Sequence, residues 1–212
     1  MRVGAVSPGL VASQPSEVAP QRTAVSMTQV RAALSHALQN ATGRAPSART
    51  LDVLSAQVSL ETAHGAQMFN FNFGGIKGVS PRGETANTMT HEVLDGKDVH
   101  ISQGFRAYRS LDEGARDYVS VLQARFPGAM TCATSGDLGG FAHALKQAHY
   151  YTASEQDYAA GLQAAQPQGA GGPSPLQPVP TDFSSSTELS RVMDAMSASI
   201  ARIGAPDPPD PD

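Results

Sequence analysis

"LETAHGAQMFNFNFGGIKG", residues 60–78, sets one carboxylate, Glu61, at the end of an apolar segment and follows it at once with Asn, Phe and Gly. Upstream, Leu51, Leu54 and Val58 share a helical face with Glu61, while Val53, Ala56, Leu60 and Ala63 cover much of the other side. That pattern predicts a buried helix within "APSARTLDVLSAQVSLETAHG", stopping at Gly65. Asp52 lies near its N-terminus, where the helix dipole favours an anion. Glu61 lies near the C-terminus, where dipole and burial both disfavour the ionised form and raise the pKa. Two readings of Glu61 follow: a solvated carboxylate at a frayed helix end, or a carboxyl kept protonated near neutral pH, as proton donation to a glycosidic oxygen requires. The next stretch, "FNFGGIKG", supplies aromatic surface, a side-chain amide and tight turns, the materials of a cleft for a flat-faced polar ligand such as a sugar ring. Its other reading is a glycine-rich loop with Phe71 or Phe73 tucked into the core.

Outward from this stretch the chain divides readily. Residues 1–25, rich in Ser, Pro, Val and Ala without periodicity, read as a flexible arm. "MTQVRAALSHALQNATG" places Val30, Ala33, Leu34, Leu38 and Ala41 on one helical face and ends at Gly43. After the glycines of residues 74–83, "TANTMTHEVLDGKDVHISQGF" reads as two short strands turning at Asp95-Gly96. Helices follow over "SLDEGARDYVSVLQARF", with Ser110 and Glu113 as a capping-box pair, over "DLGGFAHALKQAHY" and over "SEQDYAAGLQAA". Residues 26–165 are thus the expected domain, and 166–186 a Pro/Gly/Ser linker. An amphipathic helix is expected over 187–203, with Leu189, Val192, Met193, Met196, Ile200 and Ile203 on one face, before an acidic tail at 204–212.

The chain has 212 residues, 40% of them hydrophobic, enough for one core of ordinary size. Lys+Arg 15 against Asp+Glu 19, a net charge of −4, leaves no basic face for nucleic acid. No secretory signal is read in the first residues and no apolar run is long enough to span a membrane. Cys132 is the single cysteine, so an intrachain disulfide is excluded. His91-Glu92 lacks the second histidine of a zinc-protease motif. His91, Asp95, Asp98 and His100 read as solvated turn residues before metal ligands, and no cofactor is expected.

Taken in order, Glu61 with "HG", "NFGGIKG", "THEVLDGK", "FRAYRSLDEGARDYVSVL" and "HYYTASEQDYAAGL" resemble glycoside hydrolase family 73, the bacterial endo-β-N-acetylglucosaminidases of peptidoglycan that include flagellar rod-cap hydrolases and autolysins. The likeness runs from about Leu51 to Leu162. It implies a mainly helical, lysozyme-like α+β domain with a small β-hairpin lobe beside a substrate groove. It also implies Glu61 as general acid, matching the glutamate of an "LESGWG"-type helix end, with His64 where that motif has Trp. Glu92 matches the β-lobe carboxylate, which activates water or stabilises an oxocarbenium-like transition state, and Tyr150 matches a tyrosine of a "YATD"-like motif, expected to line the groove near Glu61. Asn72, Phe73, Lys77, His64 and Tyr151 are the implied substrate-binding residues, and Tyr158 is read as core.

The expected activity is hydrolysis between N-acetylglucosamine and N-acetylmuramic acid in peptidoglycan strands. Its competitors are lytic transglycosylation on the same scaffold and a non-catalytic glycan-binding or structural module. Action in the periplasm or outside the cell, as a bacteriolytic secreted effector or by a flagellar or phage route, makes the N-terminal arm or the 187–203 helix the candidate contact for a secretion machine or an inhibitor protein.

Overall fold

Helix starts in this chain are written by short polar side chains. Ser26 caps α1 (Met27–Thr42) in a full capping box with Gln29, and Ser47 caps α2 (Ala48–Glu61). Ser110 caps α3 (Leu111–Arg125), accepting from the Glu113 N–H, while the Glu113 carboxylate reaches back to the N–H of Arg109. Pro127 opens α4 (Pro127–Ser135), Asp137 caps α5 (Leu138–Gln147) and Ser154 caps α6 (Glu155–Ala164). These elements come from a computed structural model that describes residues 15–94, 97–151 and 153–166, with 89–94 and 97–101 described by backbone alone. The Asp95-Gly96 turn, the linker, the 187–203 helix and the acidic tail lie outside the described residues.

The helices enclose one core, in which α2 is the central element. Every residue from Thr50 to Leu60 except Asp52 is buried, and Asp52 pairs with Arg31 of α1 at 2.6 Å. The α1 face is Val30, Ala33, Leu34, Ala37 and Leu38, while Ala41, expected on that face, is exposed where the helix runs past the core. α4 was not expected from the sequence: its nine residues, mostly Pro, Gly, Ala, Thr and Ser with Met130 and Cys132, carry almost no apolar periodicity, and of them only Ala129 and Ala133 are buried.

Beside the body stands a three-stranded sheet in the order β1 (Ser16–Val18), β2 (Glu84–Leu94), β3 (Lys97–Arg106). β2 and β3 are antiparallel from Thr85↔Arg106 to Leu94↔Lys97, a longer hairpin than two short strands. β1 pairs in parallel with β2, Ser16 opposite Glu84, so the flexible arm expected over residues 1–25 is corrected for its final part. A three-residue edge strand needs only backbone partners, and its Ser-Glu-Val sequence gives no alternation to read. Two ion pairs, each to a buried carboxylate, fasten the root of the lobe. Arg106 of β3 holds Asp117 of α3 at 2.8 Å, with the Tyr108 hydroxyl donating to the same carboxylate, and Arg109 bonds the buried Glu84. The architecture is the lysozyme-like one that the resemblance implies, six helices and a small sheet among the described residues.

Candidate active site

The body meets the lobe where α2 stops. The expected stop at Gly65 comes four residues early, at Glu61, because the chain turns left-handed over Ala63, His64 and Gly65, at φ 47°, 56° and 80°. Two non-glycine residues there are strained, and the neighbouring contacts hold them. Thr62 bonds back to the Val58 carbonyl through its hydroxyl, and the His64 N–H reaches Ser59 O at 2.8 Å. At Gly65 a Cβ would stand 2.2 Å from the Val25 carbonyl, so the residue must be glycine for space as well as for φ. The turn thereby places Glu61, itself only partly buried, at the end of a buried helix.

Four buried side chains from four segments surround that carboxyl. Tyr158 of α6 donates its hydroxyl to Glu61 Oε1 at 3.1 Å. Gln57, one helical turn before Glu61, donates Nε2 to the Tyr158 hydroxyl at 3.2 Å and accepts the Tyr118 hydroxyl of α3 at 2.5 Å. Tyr150, after α5, donates to the Gly74 carbonyl at 3.1 Å and packs edge-on against Phe126. Removal from water pushes the Glu61 carboxyl up to about 8, against the Tyr158 hydrogen bond, which acts downward. Burial and the nearby Glu61 charge together hold all three tyrosines neutral. A group that must stay protonated to act and titrates near 8 predicts a kcat/KM profile with an alkaline limb near pH 8, measurable by initial rates in a constant-ionic-strength buffer series.

The implied site residues separate by depth. Glu92 lies on β2 opposite Val99, with its side chain outside the described residues. His64 is exposed, its Nδ1 held by Ser59 Oγ at 2.7 Å. Phe73 is fully buried against Tyr118, and Tyr151 is buried and stacked on Tyr158 at 3.8 Å. Lys77 is buried as well, with Nζ bonded to Gln103. Asn72 closes the loop from within: its amide donates to the carbonyls of Ile76 and Arg106, and its oxygen accepts the Ile76 N–H. Asn72→Ala is expected to cost about 2 kcal/mol by orphaning those groups, read as a lower midpoint in urea with an unchanged slope. Tyr158 lies in the core as expected, and it is also the tyrosine that bonds the acid. Gln57 was not singled out from the sequence, although a lone amide on a buried face four residues before Glu61 was the available signal.

Comparison with known proteins adds a family to this geometry. The model of the glucosaminidase family, described as mannosyl-glycoprotein endo-beta-N-acetylglucosaminidase, matches residues 43–167, more than half of the chain. The chain belongs to the glucosaminidase family. This glucosaminidase is similar to a peptidoglycan hydrolase mutant from Sphingomonas sp. A1, at 26% identity and a TM-score of 0.50 over 66% of this chain and 92% of that one. The catalytic domain of the autolysin Auto from Listeria monocytogenes, 20% identical with a TM-score of 0.50 over 66% of this chain and 79% of the other, shares the fold. No curated protein matches. The family match makes the glucosaminidase a glycoside hydrolase, corresponding to glycoside hydrolase family 73, and spans Glu61, its tyrosine surroundings and the whole β2–β3 hairpin.

Proposed function

We propose that the glucosaminidase hydrolyses peptidoglycan at the bond between N-acetylglucosamine and N-acetylmuramic acid, with Glu61 as the general acid. The observation that carries this reading is the Glu61 carboxyl itself. Removal from water pushes it up to about 8, Tyr158 donates to one of its oxygens, and the residue is only partly buried at the C-terminal end of α2. Such a group delivers a proton to a departing glycosidic oxygen without first having to capture one. Support for the substrate comes from the Sphingomonas relative, named a peptidoglycan hydrolase.

In this mechanism the Glu61 proton passes to the glycosidic oxygen as the C–O bond breaks, and water adds to the sugar cation, losing its proton to a base. Glu92, on the hairpin beyond the acid, is our candidate for that base or for the anion that stabilises the cation. Tyr150 shapes the groove through the Gly74 carbonyl it holds, and exposed His64 is the candidate for direct sugar contact. Peptidoglycan as substrate places the action in the periplasm or outside the cell. The 187–203 helix, proposed for delivery or inhibition, lies outside the described residues.

The test is incubation of wild type and Glu61→Gln with isolated peptidoglycan and identification of the released ends by mass spectrometry. N-acetylglucosamine reducing ends from wild type alone support the proposal. Ends bearing 1,6-anhydro sugar replace hydrolysis with transglycosylation, and release by both proteins removes Glu61 from the role of proton donor.

A further inference from the structure

A carboxylic acid has two oxygens, and a proton donor works only from the one that faces the substrate. The hydrogen bonds around Glu61 decide which oxygen that is. The Tyr118–Gln57 contact of 2.5 Å fits a hydroxyl bonded to an oxygen and is too short for an amide N–H. It therefore fixes the Gln57 amide with Oε1 toward Tyr118 and Nε2 toward Tyr158, where 3.2 Å suits an N–H donor. The Tyr158 oxygen is thus already accepting from Gln57, and its single hydrogen has Glu61 Oε1 as its acceptor. Stacking on Tyr151, whose own hydroxyl is bound to the Ala142 carbonyl at 2.9 Å, keeps the Tyr158 ring from turning away.

We propose that Gln57 and Tyr118 are positioning residues that, through Tyr158, confine the acidic proton of Glu61 to Oε2, the oxygen left to the substrate. This rests on Glu61 being the proton donor. A proton on Oε1 would point at a hydroxyl whose own hydrogen already points back, so that arrangement is excluded. Without Gln57 the Tyr158 oxygen is free to accept, and the acid buries its proton in a bond to tyrosine instead of offering it to the glycosidic oxygen. Donation by Gln57 also polarises the Tyr158 hydroxyl and strengthens its bond to the carboxylate. Among the described residues Tyr158 of α6 bonds Glu61, Tyr118 of α3 and Tyr150 after α5 interact with its charge, Gln57 of α2 stands behind Tyr158, and none of the described ion pairs includes Glu61.

The test combines Gln57→Met, which keeps volume without polar atoms, with Tyr118→Phe, which removes one hydroxyl. The Glu61 carboxyl carbon is followed by 13C NMR across pH, and turnover of isolated peptidoglycan is measured alongside. In both variants the Glu61 titration is expected to rise by about half a unit to one unit, as a weakened hydrogen bond to the anion requires. Turnover at neutral pH is expected to fall about tenfold with KM within about twofold, the signature of a lost transition-state contribution. Adding Gln57→Met to Tyr158→Phe is expected to move the titration no further, since Gln57 acts through that hydroxyl. A purely structural role would lower the melting temperature and leave the titration where it is. Unmoved titration in both variants, or an equal shift from Gln57→Met without the Tyr158 hydroxyl, would overturn the relay. A wild type that cleaves nothing defeats the proposed function, and the NMR titration still decides the relay.

Discussion

Replacing Glu61 by Gln is expected to lower kcat/KM on peptidoglycan by about 10³-fold, the middle of the range that general acid catalysis supplies. The amide keeps the shape of the side chain and its bond from Tyr158, so KM is expected to stay within about threefold of wild type. The same substitution has a second, opposite consequence for stability. Glu61 titrates near 8 in the folded protein against 4.5 when exposed, so between those values the folded state holds a proton that the unfolded state has released. The stabilisation this gives is complete below pH 4.5 and is lost as pH rises through 8. Gln carries no such dependence. Glu61→Gln is therefore expected to equal wild type in stability near pH 4 and to exceed it by about 2 kcal/mol at pH 9, a discount from the ~5 kcal/mol of the full shift for solvent reaching the carboxyl. Urea unfolding at the two pH values checks this, and equal stabilities at both would place the Glu61 titration near that of an ordinary carboxylate.

Gly114→Ala is expected to be the most destabilising single methyl in the helical body. Gly114 sits inside α3 with ordinary helical geometry, so its backbone gives no reason for glycine, and helix propensity alone predicts a gain of about 1 kcal/mol for Ala. Space decides otherwise. A Cβ there would stand 1.9 Å from the carbonyl oxygen of Phe71 and 3.3 Å from the ring of Phe73, and the first of these is backbone that a side-chain rotation cannot relieve. Phe71 is itself in the left-handed region at φ 51° and is held by the Thr23 hydroxyl at 2.9 Å, so the loop has little room to retreat. A net loss of about 3 kcal/mol is expected, read as a fall in melting temperature of roughly 10 °C. Thermal denaturation measures it, and a fall of a degree or two would show that the loop yields to α3.

How far the site was legible depended on the range of the contacts involved. The burial of α2 and the discomfort of Glu61 at its end are local matters, written in the spacing of Leu51, Leu54 and Val58, and the structure bears out that burial. The hairpin was legible from Val93, Asp95-Gly96 and Val99, although its strands run longer than read. The choice of tyrosine was not legible. Tyr150, Tyr151 and Tyr158 all follow α5, and which hydroxyl reaches the acid depends on how α6 packs across α2, a contact between residues 97 apart in sequence. α4 escaped for the opposite reason, being local but almost without apolar period. The buried Asp117 and Glu84 are hidden in the same way, since each is tolerable only beside an arginine from another element.

The parallel pairing of β1 with β2 sets an order of events during translation. Ser16–Val18 is the first described strand to leave the ribosome, yet its partners, Glu84 to Ala86, are made only after both α1 and α2. Strands joined across so long an interval close late, because the chain between them must first be organised. Until then one flank of the β2–β3 hairpin is an unpaired edge, open to any other extended chain nearby. The strand synthesised first must wait for two helices and a second strand before it can dock, and its arrival covers the open edge of the hairpin.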